Sequence, residues 1–150
     1  GAHLVALVAT DPQFAGASFA AIRGAILLDG AAYDVPGQIA ASPFMARRTY
    51  IPAFGTDPVR QRALSPLAHA GAKDVPDWLI LYSSARNDSK AQSVGLSDAL
   101  RKGGAKAEAM EVPATSRNPL AGHMEVNTGF GTAGFAANPA IERMMRRIGH

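Results

Sequence analysis

Two short apolar runs and a third strand-like segment, separated by helix-length segments, constrain this chain more than any other feature. Arg23-Gly24-Ala25-Ile26-Leu27-Leu28-Asp29-Gly30 is a continuous apolar run closed by a turn signal, and Asp77–Ser83 is a second. Lys106–Val112 reads as a third strand, with Ala107, Ala109 and Val112 breaking strict alternation. Unbroken apolar runs of this length suit strands buried on both faces. The intervening segments read as helices. Ala2–Ala9 is apolar, has no capping residue before it and is stopped by Thr10, Asp11 and Pro12, which places its start upstream. Asp57-Pro58 opens a short helix to about Leu64, with Asp as N-cap and Pro at the first helical position. Ser89 and Gln92 have capping-box spacing ahead of Val94, Leu96 and Leu100, and Gly103-Gly104 ends that helix. Asn138-Pro139 starts a last helix whose Ile141, Met144, Met145 and Ile148 recur at a period near 3.6.

Strands alternating with helices predict the α/β class: a parallel sheet with right-handed crossovers and helices on both faces. Three parallel strands alone leave long apolar edges, so further strands are expected to complete the sheet. Two stretches are expected to be irregular. Pro36–Phe54 mixes Pro, Arg and aromatic residues without a period and would cross the top of the sheet, and Pro113–Phe130 reads as a long loop.

Composition bounds the function classes. The 150 residues suit one domain, and 47% hydrophobic against 18% charged suits a well-buried sheet. With no Cys, disulfides, thiolate metal sites and cysteine nucleophiles are excluded. The formal charge is +3, and the basic excess is concentrated near Arg47-Arg48 and near Arg143, Arg146 and Arg147, which read as solvated helix faces rather than a nucleic-acid footprint. No apolar run approaches the roughly 20 residues that cross a bilayer, and no signal peptide is visible. Location stays open between cytoplasm and periplasm. The four histidines lack metal-site spacing, so no metal and no cofactor is expected.

In an open parallel sheet, functional groups gather in the loops after the strands. These loops hold Asp29, Tyr33 and Asp34; then Ser83, Ser84, Arg86, Asn87 and Asp88; then His123. A carboxylate after one strand and a histidine after the next supply a general base and its orienting partner. Asp88 and His123 are separated by one helix and one strand, so both emerge at the same edge. Asp88 is the expected partner, with Asp29 and Asp34 as alternatives. Each also has a plain structural reading: Asp88 as a helix cap, His123 as a solvated loop residue, His3 as a buried hydrogen-bonded core histidine, His69 as a turn residue, and His150 as an uninformative terminus.

Gly1-Ala2-His3-Leu4-Val5-Ala6-Leu7 resembles the segment after the nucleophilic serine in esterases of the α/β-hydrolase superfamily, where Gly-x-Ser-x-Gly precedes Ala-His-Leu. Leu28-Asp29-Gly30 with Tyr33-Asp34 resembles that family's next loop, and Ser65-Pro66-Leu67 the segment before its acid-bearing strand. Ser84-Ala85-Arg86-Asn87-Asp88-Ser89 resembles the acid loop, and Gly122-His123-Met124-Glu125-Val126-Asn127 the histidine loop. The resemblance implies the C-terminal part of an α/β-hydrolase domain, with the serine two residues before Gly1 and the oxyanion-hole segment further upstream. It implies hydrolysis of a carboxylic ester through an acyl-enzyme, with His123 as general base and Asp88 as orienting acid. Tyr33, Phe44, Met45, Tyr50 and Phe54 would line the substrate pocket. The implied partners are a small-molecule ester and the N-terminal half of the same domain, and a homo-oligomer is compatible. Two departures bear on substrate preference: Tyr82-Ser83 replaces the family's His-Gly, and Thr115–Ala121 lengthens the histidine loop. An aryl formamidase-type amide hydrolase and a non-catalytic small-molecule-binding relative are the alternatives.

Overall fold

A computed structural model of the chain describes residues 1–149. The three expected strands form: β1 (Gly24–Leu28), β2 (Asp77–Ser83) and β3 (Lys106–Val112). They make one parallel sheet in the order β1-β2-β3, with Leu27 opposite Ile80 and Ile80 opposite Ala109. β2 lies in the middle with every residue buried, which is what its unbroken apolar run requires.

Helices cover both faces. On one side Leu27, Trp78 and Ile80 meet Ala6 and Ala9 of α1 (Ala2–Thr10) and Leu96 and Leu100 of α8 (Asn87–Lys102). On the other, Leu79, Leu81 and Val112 meet Val126 of α9 (Pro119–Gly129) and Ala140 and Met144 of α10 (Asn138–Ile148). The buried indole of Trp78 keeps its N–H satisfied by donating to the Val75 carbonyl at 2.7 Å. Arg147 ties the end of α10 to the start of β2 through a two-pronged contact with Asp77, at 2.8 and 2.7 Å.

Three expectations are corrected. Pro36–Phe54 is not irregular but largely helical: α3 (Val35–Ala41), α4 (Pro43–Met45), a π-helical turn (Ala46–Tyr50) and α5 (Ile51–Phe54). Its prolines read as breakers, yet Pro36 and Pro43 each sit in a first helical turn, where the missing N–H costs nothing, and Pro52 follows just after the π-helical turn. Ser89 does not cap α8. The N-cap is Arg86, and the Ser89 hydroxyl donates to the Gly30 carbonyl at 2.7 Å. Pro113–Phe130 is not a loop throughout, because α9 occupies most of it, started by Asn118, whose side chain accepts from the Leu120 and Ala121 N–H groups. The remaining short helices are α2 (Pro12–Ala15), α6 (Pro58–Ala63) and α7 (Pro66–His69), and Gly16–Ala21 is a 3₁₀ turn. As expected from Asp57-Pro58, Asp57 caps α6 by accepting from the Val59 N–H at 2.9 Å.

The outer edges of β1 and β3 have no strand neighbour among the described residues. Beside β1, Leu4, Val5, Val8 and Ile22 frame a shallow apolar depression of about 240 Å³. Leu4 is 66% exposed there.

Candidate active site

The first loop at the C-terminal end of the sheet begins with Asp29. Its N–H continues the ladder by donating to the Leu81 carbonyl at 2.8 Å, but its φ of 46° turns the chain out of the strand. A non-glycine residue in this left-handed region is strained, and Ala32 repeats it with φ 60°. The Asp29 side chain is fully buried. One carboxylate oxygen, Oδ1, accepts from the Ser83 N–H at 2.8 Å. The other, Oδ2, meets His123 Nδ1 at 2.8 Å and accepts from Arg86 Nη1 at 2.9 Å. Burial acts to raise the Asp29 carboxyl, but the Ser83 N–H, the Arg86 guanidinium and the His123 ring outweigh it and hold it below the ordinary value.

His123 sits in the first half of α9, so a helix rather than a loop fixes its position. Its side chain is 37% exposed. A carboxylate at Nδ1 assigns the N–H to that nitrogen, leaving Nε2 with its lone pair. Asn127, one helical turn on, donates to the His123 carbonyl at 2.8 Å and places its amide nitrogen 3.4 Å from Nε2.

The carboxylate that contacts His123 is therefore Asp29 and not Asp88. Asp88 lies in the first turn of α8, where its Oδ2 accepts from Arg86 Nη2 at 2.9 Å and from Gln38 Nε2 at 3.3 Å. Arg86 stands between Asp88 and the histidine, with Nη1 3.3 Å from His123 Nδ1. Asp34 is the N-cap of α3, and its backbone N–H donates to Gln92 Oε1 at 2.7 Å.

A cavity of about 520 Å³ opens over the pair. His123, Asp29 and Arg86 line it together with Gly1 and His3 from the start of α1. Of the five residues expected to line a substrate pocket, Tyr50 and Phe54 do so. Tyr33 does not: its ring is fully buried in the core against the α1 and α8 face, beneath Gly30, and burial pushes its hydroxyl up. Phe44 and Met45 lie outside the cavity on an exposed surface, Phe44 beneath the Arg48 guanidinium at 4.8 Å.

Among the other histidines, His3 is half-buried, with Nδ1 2.9 Å from the Ala32 carbonyl, and burial lowers its pKa. His69 places Nε2 2.8 Å from the Ala63 carbonyl at the end of α7. His150 lies outside the described residues. Arg86, which joins the two carboxylates, stands in the sequence only as one of several polar residues of the loop after β2, with no role attached. Its signal there is a cation in the loop after the central strand, two residues before a candidate acid.

Among the described residues no cluster of three or more His, Cys, Asp or Glu side chains could hold a metal ion, and no single helix is long and apolar enough to cross a membrane. No protein-family model, curated protein or solved structure matches the chain.

Proposed function

We propose that the chain is the C-terminal part of an α/β-hydrolase domain and that its site cleaves carboxylic esters through an acyl-enzyme. One observation carries this reading: a buried carboxylate holds Nδ1 of a partly exposed histidine at 2.8 Å, at the mouth of a cavity that also contains the start of α1. An ionised orienting acid, a histidine with a lone pair on Nε2 and a substrate-sized space are what a serine hydrolase needs apart from its nucleophile.

In this reading the nucleophile is a serine two residues before Gly1, facing His123 across the cavity. Nε2 takes its proton as the hydroxyl attacks the ester carbonyl, and Asp29 stabilises the imidazolium. The same nitrogen returns the proton to the departing alcohol, and water then repeats the cycle to release the acid. The positive end of the α1 dipole favours negative charge developing beside it. The unpaired β1 edge and the apolar surface next to it support completion of the sheet by further strands of the same domain. The orienting acid is thus Asp29 in place of Asp88.

The test is turnover of a p-nitrophenyl ester by the intact protein. His123→Ala should reduce it by several orders of magnitude while thermal stability stays near that of the unaltered protein. Full activity in that variant would overturn the assignment.

A further inference from the structure

Arg86 and Asp88 are the charged groups nearest the proposed pair that the mechanism leaves unused. Arg86 is mostly buried and spends both ends of its guanidinium on fixed partners. Nη1 donates to Asp29 twice, to Oδ2 and to the backbone carbonyl, each at 2.9 Å. Nη2 donates to Asp88 Oδ2 at 2.9 Å. Asp88 also receives Gln38 Nε2 at 3.3 Å, and the same amide nitrogen lies 3.1 Å from the hydroxyl of Tyr50, a residue of the cavity wall. An unbroken polar chain thus runs from the cavity wall to the imidazole: Tyr50, Gln38, Asp88, Arg86, Asp29, His123.

We propose, on the strength of the hydrolase reading above, that Arg86 is the positioning residue of the Asp29–His123 pair and that Asp88 is its anchor and countercharge rather than the orienting acid. Two physical requirements lead there. First, Asp29 occupies a strained left-handed backbone position and presents a buried carboxylate; the double contact from Nη1 fixes both its main chain and its side chain. Second, a guanidinium 3.3 Å from the imidazole would oppose the imidazolium that forms during turnover. Asp88 cancels that opposition. With Arg86 between two carboxylates the cluster carries one net negative charge, and protonation of His123 brings it to zero. Arg86 can therefore orient Asp29 without raising the barrier to proton transfer. The fork geometry matters as much as the charge, because a lysine ammonium offers its donors from one nitrogen and lacks the two rigidly separated nitrogens with which Arg86 spans Asp29 and Asp88.

The experiment follows p-nitrophenyl acetate hydrolysis by the intact protein carrying Arg86→Ala, Arg86→Lys, Asp88→Asn or His123→Ala. Arg86→Ala should lower kcat about 100-fold with KM changed less than about threefold, as expected when a reacting group is displaced by a fraction of its length. Guanidinium chloride at sub-denaturing concentration should restore part of that loss, and sodium chloride of equal ionic strength should not. Arg86→Lys should remain well below the unaltered protein. Asp88→Asn, altering a side chain that is one-third exposed, should fold normally and lose roughly tenfold in kcat, far less than His123→Ala. If Arg86→Ala fails to fold, Asp88→Asn decides. Loss in Asp88→Asn equal to that of His123→Ala makes Asp88 the orienting acid and overturns the proposal. Unaltered kcat in Asp88→Asn or in Arg86→Ala, or no response of folded Arg86→Ala to guanidinium, overturns it as well. Full activity in His123→Ala instead removes the hydrolase reading on which the proposal rests.

Discussion

Asp29 sits under two opposing demands, and which one wins can be measured. Burial favours its neutral form, while the donors from Ser83, Arg86 and His123 favour its anion, and the anion prevails. A carboxyl whose folded pKa lies below its unfolded value stabilises the fold above the ordinary carboxylate range. That contribution is lost as pH falls through the lowered folded value. Asp29→Asn should therefore be less stable than the unaltered protein near neutral pH, by about 2–4 kcal/mol, because Arg86 loses a buried partner. The gap should narrow steadily as pH drops below about 4, where the unfolded carboxyl takes up its proton. Urea unfolding across that range checks it: a gap that stays constant or widens in acid would refute the assignment. Ester turnover in the same variant should fall about 10³- to 10⁴-fold, since an amide leaves the imidazole in the wrong tautomer. In the sequence Asp29 was legible only as an alternative. Asp29-Gly30 closes an apolar run and reads first as turn chemistry, whereas the choice between three acids depends on the direction each side chain takes. That direction is set by the left-handed Asp29 backbone and by Arg86, neither of which has a periodic signature.

At the scale of elements, legibility follows the strength of the local pattern. β2 and β3 both have the expected bounds: β2 because burial on both faces leaves an unbroken apolar run, whereas β3 is a mostly half-buried edge strand that carries Lys106, Glu108 and Glu111 among its apolar residues. α10 is equally plain, its apolar residues falling on one stripe. α9 has no such stripe: Leu120 and Met124 are exposed, Val126 is buried, and Gly122 and Gly129 weaken helix propensity. It is helical because tertiary packing and the Asn118 cap select that state. Gly122 shows how close the packing is. A Cβ there would fall 2.8 Å from the Ala85 Cβ and would also crowd the Ser83 hydroxyl, at the end of β2. The hydroxyl can rotate aside, but the Ala85 Cβ is fixed to the backbone. Gly122→Ala should therefore shift α9 away from β2, costing about 1–3 kcal/mol in stability. Because His123 is the next residue, kcat for ester turnover should fall by up to about 100-fold with little change in KM. Unchanged melting temperature together with unchanged kcat would mean that α9 is not held against the sheet as described.

For the molecule as a whole, the sequence pattern yields the parallel sheet and its two helix layers, since both follow from alternation and handedness. What lies against β1 is written in surface chemistry instead. α1 turns Ala6 and Ala9 into the core, yet it also presents Leu4 and Val5 outward, and these join Val8 and Ile22 beside an unpaired strand edge. A solvated helix facing water would carry polar residues at those positions. Leu4→Asp separates a face that is covered in the intact protein from one that is bare. Against further strands and helices the carboxylate would be buried without a partner, so the melting temperature should fall by several degrees, equivalent to about 2 kcal/mol or more. Val59 provides the control, because it is also apolar, is 76% exposed and lies on α6, away from the sheet edge. Val59→Asp should leave stability within about 0.5 kcal/mol, as for ordinary surface substitutions. Equal, small effects of both substitutions would mean that the β1 side of the sheet faces water, and the completed-sheet reading would fall with it.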